Sequence, residues 1–268
     1  MANALVVWDV ARAIGGSVIL RIEDHDRQRC RPEFEAALLD DLEALGFVPD
    51  LPSIASLRTG DPSPYRQSDN GAAYEAAVAA LDARGLVYAC DCSRSTFGDW
   101  AAALGREWSG PGCPGACTTR GLARDAAGVA WRVTLGGGAE TWADLALGAQ
   151  VGAATATGGD LPIRDRHGNW TYAFCVVVDD LRHGIDLVIR GADLLDATPA
   201  QIQLGRLLGR ATPPRFLHHP LIRRADGRKL SKADGATAVR ELLRAGVSPA
   251  AVRDEAGLAV GLPRSLAG

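Results

Sequence analysis

Apolar positions along the chain switch between two periods. Leu5, Trp8 and Ala11 or Arg12 recur at helical spacing across residues 4–14, and Gly15-Gly16 comes next as a stop signal. Val18 to Glu23 changes period. It is β-branched and mostly apolar, with Val18, Leu20 and Ile22 on one face and Ile19, Arg21 and Glu23 on the other, so a strand is predicted. Pro32 then opens an amphipathic helix that places Phe34, Leu38, Leu42 and Leu45 on one face and ends at Gly46. Helix, strand, helix predicts an α/β fold with a parallel sheet.

Further along, residues 51–64 are rich in Pro, Ser and Gly and read as a loop, and 74–85 as a helix. Trp131 to Leu135 is predicted as a short strand, and 148–159, punctuated by glycine, as irregular turns and short strands. Phe174 to Val178 and Leu187 to Arg190 read as buried strands ending in Asp179-Asp180 and Arg190-Gly191. Residues 199–208, 236–245 and 249–256 are predicted helices, and His218-His219-Pro220 reads as a strand entry. No internal repeat or low-complexity tract interrupts this order.

Composition narrows the class without naming a function. The 268 residues suffice for one large domain or two small ones, and 47% apolar with 23% charged content is ordinary for a soluble globular protein. No apolar stretch is long enough to span a bilayer, and the N-terminus has no signal-peptide pattern. A cytoplasmic protein with six reduced cysteines is expected. The net charge of −3 excludes a generally basic nucleic-acid binder, so any such contact would need a local patch. Arg223, Arg224, Arg228, Lys229 and Lys232 are the candidates, although the same residues suit an ordinary solvated hairpin.

Four features carry chemistry. In Lys229-Leu230-Ser231-Lys232 two ammonium groups flank a hydroxyl after an apolar run and an Asp226-Gly227 turn, which suits a polyphosphate. Cys90-Asp91-Cys92 and Cys113-Pro-Gly-Ala-Cys117 form two close pairs, compatible with a closed tetrahedral structural zinc site or with four unrelated buried cysteines. Glu23 ends a predicted strand, where an α/β fold binds ligands, and could meet an ammonium or a ribose hydroxyl; it could equally cap a helix or pair with a base. Arg190 ends another strand and could grip a carboxylate bidentately or make a surface ion pair, and Tyr172 could donate its hydroxyl to a ligand or simply pack. None of the five histidines sits in a metal or triad pattern.

Taken in order, Arg21-Ile-Glu-Asp-His-Asp26, Tyr65-Arg-Gln-Ser-Asp69, Tyr88-Ala-Cys-Asp-Cys92, Val176-Val-Val-Asp-Asp180, Ile189-Arg-Gly-Ala-Asp193 and Lys229-Leu-Ser-Lys232 resemble the catalytic domain of class I glutamyl-tRNA synthetases. The resemblance covers roughly residues 2–245. Within that family it is strongest to the shortened glutamyl-Q tRNA(Asp) synthetase branch, because the chain ends soon after the lysine loop and carries the Cys-x-Cys insertion.

The resemblance implies a Rossmann-type catalytic domain over 1–235, interrupted by a Cys-rich zinc insertion over 86–125, and a short helical segment over 236–268. It implies activation of L-glutamate with ATP, with Mg2+, and transfer of the glutamyl group to queuosine in the anticodon of tRNA(Asp), by a monomer. Glu23, Tyr172 and Arg190 would hold glutamate, Lys232 and Lys229 would serve ATP, and Cys90, Cys92, Cys113 and Cys117 would hold one structural Zn2+. The family opens with a strand and a His-x-Gly-His-type loop, and Met1 to Leu5 resembles the segment just after that loop. The 268-residue chain is therefore expected to lack part of its active site, with a start codon lying further upstream. The alternatives are a truncated glutamyl-tRNA synthetase and a catalytically dead zinc-stabilised tRNA- or protein-binding module.

Overall fold

The computed structural model describes residues 2–26, 30–103, 105, 110, 112–221 and 239–259. The chain opens with α1 (Ala2–Ala13), which ends where Gly15 takes a left-handed φ of 68°. Leu5, Trp8 and Ala11 are buried, as the helical spacing predicts. α2 (Pro32–Ala44) also starts and stops as read, with Pro at its first turn and Gly46 at φ 73° just beyond. Its buried stripe is different from the expected one. Leu39, Leu42 and Leu45 are buried, whereas Phe34 is 61% and Leu38 49% exposed. The inward position one turn before Leu39 is Glu35, whose carboxylate holds Arg66 at 2.6 and 2.7 Å. That ion pair occupies the inward face, and the Phe34 side faces out.

The expected strand over 18–23 is extended but does not form a regular strand. It makes only isolated parallel bridges, Ile19 with Leu51 and Ile22 with Arg66. The residues that bond it belong to two separate segments, around Leu51 and around Tyr65, so no continuous ladder can build. The alternation largely holds: Val18 and Ile22 are buried in the core, while Ile19, Arg21 and Glu23 line a cavity that Val18 also borders. A short helix, α3 (Ile54–Arg58), interrupts the expected loop, capped by the Ser53 hydroxyl on the Ser56 amide. α1, α2, α3 and the 18–23 segment share one core with Val252 of a C-terminal helix.

After α4 (Gly71–Asp82) come β1 (Val87–Cys90) and α5 (Arg94–Ala103). β2 (Ala130–Val133) pairs antiparallel with both β1 and β5 (Leu161–Arg164) in a three-stranded sheet. Between β2 and β5 lies a hairpin of β3 (Ala139–Asp144) and β4 (Gly148–Ala153), more regular than the glycine content suggests. The next element overturns an expectation. Phe174 to Val178 belongs to a helix, α6 (Tyr172–Arg182), not to a strand. Phe174–Asp180 is buried throughout, and the run that reads as a strand, 174–178, holds apolar residues only; the polar positions that mark the helical period, Tyr172, Asp179 and Arg182, lie outside it.

β6 (Leu187–Gly191), α7 (Thr198–Leu207) and β7 (Arg215–His219) come next. β7 lies parallel to β6 and to β3, giving a mixed sheet of order β4-β3-β7-β6. The largest core packs α4, α6 and α7 against β2 and β5. α8 (Val239–Arg244) and α9 (Pro249–Ala259) close the described chain. The expected boundary near residue 235 lies outside the described residues, as do Lys229, Lys232, Arg223, Arg224 and Arg228. Among the described residues no helix is long and apolar enough to cross a membrane.

Candidate active site

A cavity of about 410 Å³ separates the 18–23 segment from β6, with α1 on one side and α6 on the other. It brings together three of the sequence-predicted residues: Glu23, Tyr172 and Arg190 all line it. Glu23 reaches it from the extended segment, and Tyr172 from the first turn of α6 rather than from ahead of a strand. Arg190 enters near the end of β6, as read.

The acidic side of the cavity is tied by Arg21, whose guanidinium meets Asp180 at 2.5 Å and Glu23 at 3.5 Å. Burial works against the Arg21 charge, but Asp180 and Glu23 outweigh it and hold it firmly protonated. Glu23 keeps 38% of its side chain open, and that opening is to the cavity. Removal from bulk water raises its pKa above the ordinary carboxylate value, with Arg21 opposing and Asp180 adding. Burial, seconded by Glu23, pushes the Tyr172 hydroxyl up to about 12, so it is a neutral donor at physiological pH.

Arg190 is 6% exposed. Its Nε donates to His218 Nε2 at 3.1 Å, one terminal nitrogen to Gln201 Oε1 at 2.5 Å and the other to Thr198 Oγ1 at 2.7 Å. The Phe216 ring lies 5.3 Å below it. All three acceptors are neutral groups. Among the described residues no carboxylate comes within ion-pair distance of this guanidinium, and burial lowers its pKa. A buried cation facing a cavity with only neutral partners is electrostatically suited to an anion.

The four sequence-predicted cysteines converge elsewhere. Cys90 ends β1, Cys92 lies two residues on, and Cys113 and Cys117 flank a turn containing Gly115 at φ 87°. All four are buried and reduced, and their Sγ atoms all lie within 4.8 Å of one another. The set fits a tetrahedral metal ion, which needs four thiolates at such mutual distances. Without a cation the thiolates repel. Burial and the hydrogen bond with Cys117 push the Cys92 thiol up to about 12, and the bond with Cys90 together with burial does the same to Cys113. A feature the sequence did not show anchors this cluster. Asp160 exchanges backbone hydrogen bonds with Cys113 and accepts from the Tyr88 hydroxyl at 2.7 Å and the Leu135 amide at 2.8 Å. Gly159 beside it sits at φ 114°, where a Cβ would lie 2.2 Å from the Cys113 carbonyl oxygen, so only glycine permits this approach.

Sequence reasoning also missed the groups around Arg190. Thr198, Gln201 and His218 are buried polar residues on α7 and β7, and His218 in turn bonds Asp144 of β3. The one available signal was a histidine inside an apolar run, which read equally well as a strand entry.

Comparison with known proteins places the fold in a family. The family described as tRNA synthetases class I (E and Q), catalytic domain, matches residues 2–99 and 140–256. A glutamyl-Q tRNA(Asp) synthetase of Leptothrix cholodnii is 40% identical over 259 residues, covering 94% of this chain and 82% of that protein. A glutamyl-Q tRNA(Asp) synthetase of Bordetella bronchiseptica is 43% identical over 242 residues, covering 89% and 72%. The crystal structure of a glutamate-tRNA synthetase from Elizabethkingia anophelis superimposes with a TM-score of 0.68 at 26% identity, over 87% of this chain and 49% of that one. The present chain thus spans about half the length of that full synthetase. The interval between the two matched stretches, residues 100–139, holds Cys113 and Cys117 in a cysteine-bearing excursion from the match, while Cys90 and Cys92 fall in the first stretch. With its mixed sheet, its cavity at the end of β6 and these relatives, the chain belongs to the class I tRNA synthetases for glutamate and glutamine, in their catalytic domain.

Proposed function

We propose that this chain activates L-glutamate with ATP and transfers the glutamyl group to queuosine in tRNA(Asp). The observation that carries the reading is the buried Arg190, held by neutral groups and facing a cavity that also presents Glu23 and Tyr172. A glutamate side-chain carboxylate supplies the missing anion. Its ammonium is drawn to Glu23, and Tyr172 donates its neutral hydroxyl. Glutamine offers no negative charge to a desolvated guanidinium and is rejected on that ground.

Activation needs no protein nucleophile. The glutamate α-carboxylate attacks the α-phosphorus of ATP, the bond to the β-phosphate oxygen breaks, and pyrophosphate leaves with the electron pair. The protein's task is alignment and charge stabilisation. In this reading Lys229 and Lys232 serve the phosphates together with Mg2+, and the queuosine hydroxyl then displaces AMP from the adenylate. The queuosine acceptor is favoured by the relatives that share 40 and 43% identity over most of their length. Cys90, Cys92, Cys113 and Cys117 hold one structural zinc ion, which fixes the excursion and takes no part in the reaction, because four protein ligands leave no open position. The reading carries with it a cytoplasmic site of action and a monomer.

Glutamate-dependent ATP–pyrophosphate exchange, with glutamine as control, tests the first half. Transfer of labelled glutamate to tRNA(Asp) with and without queuosine tests the second. Equal labelling of both tRNAs would replace queuosine by the 3′ end as the acceptor, and no exchange with glutamate, either in this chain or in one extended upstream by the expected histidine loop, would refute the assignment of the cavity.

A further inference from the structure

Arg190 depends on a group that no ligand would touch. Its Nε–H points at His218 Nε2, 3.1 Å away on the neighbouring strand, where Arg190 and His218 are register partners. His218 is 1% exposed and its ring stacks on Phe216 at 5.8 Å with 13° between planes. The other ring nitrogen, Nδ1, lies 2.5 Å from Asp144 Oδ2. Asp144 spends its second oxygen on the amides of Ala146 and Leu147, both at 3.0 Å, and on the His218 amide at 3.5 Å. It has acceptors only, so the ring proton sits on Nδ1 and the Nε2 lone pair is left to accept from the guanidinium. Thr198 Oγ1, 3.2 Å from Nε2, accepts from the other end of the same guanidinium.

We propose that His218, held in its Nδ1–H tautomer by Asp144, is the positioning residue for Arg190, and that protonation of His218 releases Arg190 from its glutamate-binding pose. This rests on Arg190 being the carboxylate ligand, as argued above.

Protonation at Nε2 removes the His218 acceptor of the Arg190 Nε–H and sets two cations against each other. The charged and titratable groups facing this pair are Asp144 from β3, Arg190 from β6, His219 from β7, and Tyr172 and Asp180 from α6. Burial lowers the His218 pKa below 6.5, Asp144 opposes, and Arg190 and His219 add to the lowering, so the ring is neutral at pH 7. Burial alone would raise the Asp144 carboxyl, but the His218 hydrogen bond and the three amides hold it below its ordinary value, so Asp144 stays ionised while His218 titrates. Glutamate affinity should therefore be full at neutral pH and fall as pH drops through the lowered His218 value. ATP affinity, which does not use Arg190, should follow the same pH profile in the wild-type and His218→Gln chains, set by the titration of the phosphates themselves.

The test measures glutamate and ATP binding to the full chain by calorimetry between pH 5 and about 8, the range over which a histidine changes charge. Chains carrying His218→Gln, His218→Ala and Arg190→Ala are compared, each with its melting curve. Gln can place an acceptor near the position of Nε2 but does not titrate. His218→Ala should weaken glutamate roughly ten- to hundredfold at every pH, the loss of one hydrogen bond to a charged group, with ATP unchanged. His218→Gln should recover most of that loss and keep only the acid limb that Glu23 contributes. Superimposable pH profiles for the wild-type and His218→Gln chains would overturn the proposal. So would wild-type affinity in His218→Ala. Arg190→Ala separates the two readings. If it binds glutamate normally, the assignment of Arg190 fails; if it loses glutamate while the His218 variants do not, only the positioning role fails. A wild-type chain that binds no glutamate at any pH sinks both. Nitrogen-15 imidazole spectra of the wild-type chain need no variant to fold: they should show Nδ1 protonated and Nε2 bare at pH 7, and the opposite tautomer or a cation would refute the mechanism.

Discussion

Stripping the metal from the cysteine cluster should melt the excursion and spare the rest. The buried part of this satellite core consists of Cys90, Cys92, Cys113 and Cys117 themselves, with Tyr88, Phe97 and Trp100 only partly covered beside them. Burying four such small side chains contributes about 4 kcal/mol. Ordering the segments around them, 90–93 and 112–118, costs about 10–20 kcal/mol at one to two per residue. A structural zinc ion bound to four thiolates contributes about 10–16 kcal/mol, enough to bring the sum near zero or below it. Zinc should therefore be found at one per chain in protein purified under reducing conditions. Chelation, or Cys92→Ser, should remove it. Cobalt substitution, tracked by its visible absorption, should report a tetrahedral thiolate field, and amide exchange at β1 and around Cys113 should accelerate to that of an open loop. Exchange within α6 and β7 should stay slow, since their core is separate. A metal-free protein with unchanged protection at Cys113 would refute the balance struck here.

The same geometry sets other outcomes. Arg190→Lys should weaken glutamate activation at least roughly tenfold in pyrophosphate exchange, because a single ammonium cannot satisfy Thr198, Gln201 and His218 at once; unchanged kcat/KM would count against the fork geometry. Glu23→Gln should raise Tm at pH 7 but not near pH 4. A carboxyl with a raised folded pKa loses stability as pH rises from its ordinary value through the raised one, so an uncharged substitute gains only above that window. The same change should weaken glutamate binding, and a lowered Tm at pH 7 would contradict the sign. Tyr74→Phe removes a 2.9 Å bond to Asp179, which keeps Gln67 at 3.1 Å and Arg182 at 3.0 Å, so a loss of about 1.5 kcal/mol is expected by denaturant titration. Arg21→Ala leaves Asp180 and Glu23 facing each other and should cost about 3 kcal/mol, read as a shift of the unfolding midpoint with unchanged slope.

The sequence discloses those parts of the molecule whose causes are local. Helix periods and glycine stops locate α1, α2, α4 and α7, because amphipathicity and capping act within a few residues. The cysteines declare themselves because metal ligands come in close pairs. α6 reads wrongly as a strand because the five residues 174–178 are all apolar, and a short apolar run does not separate a helical from a strand period. Its two aspartates are the clue to its true surroundings, since Asp179 is buried and bonded to Tyr74 and Gln67. The extended 18–23 segment shows the right alternation in sequence but not its irregular pairing, a property that depends on partners far along the chain. Arg190 is legible at a strand end, yet its keepers are not. Asp144 and His218 stand 74 residues apart, and only the sheet joins them.

That joining has an evolutionary edge. Arg190 and His218 meet because β6 and β7 pair in one register, and Asp144 stands opposite Phe216 across the next ladder. Side chains alternate faces along a strand, so inserting or deleting one residue within β7 would turn His218 to the opposite face and carry Phe216 with it. The turn at Ala146-Leu147 is bound by the same logic, since its amides hold Asp144. Length change in this half of the chain should therefore collect in the turn after α7, where no ladder counts residues. Lineages that drift freely in composition should still keep the spacing from Arg215 to His219, and a relative that breaks it should be sought among those that no longer choose glutamate.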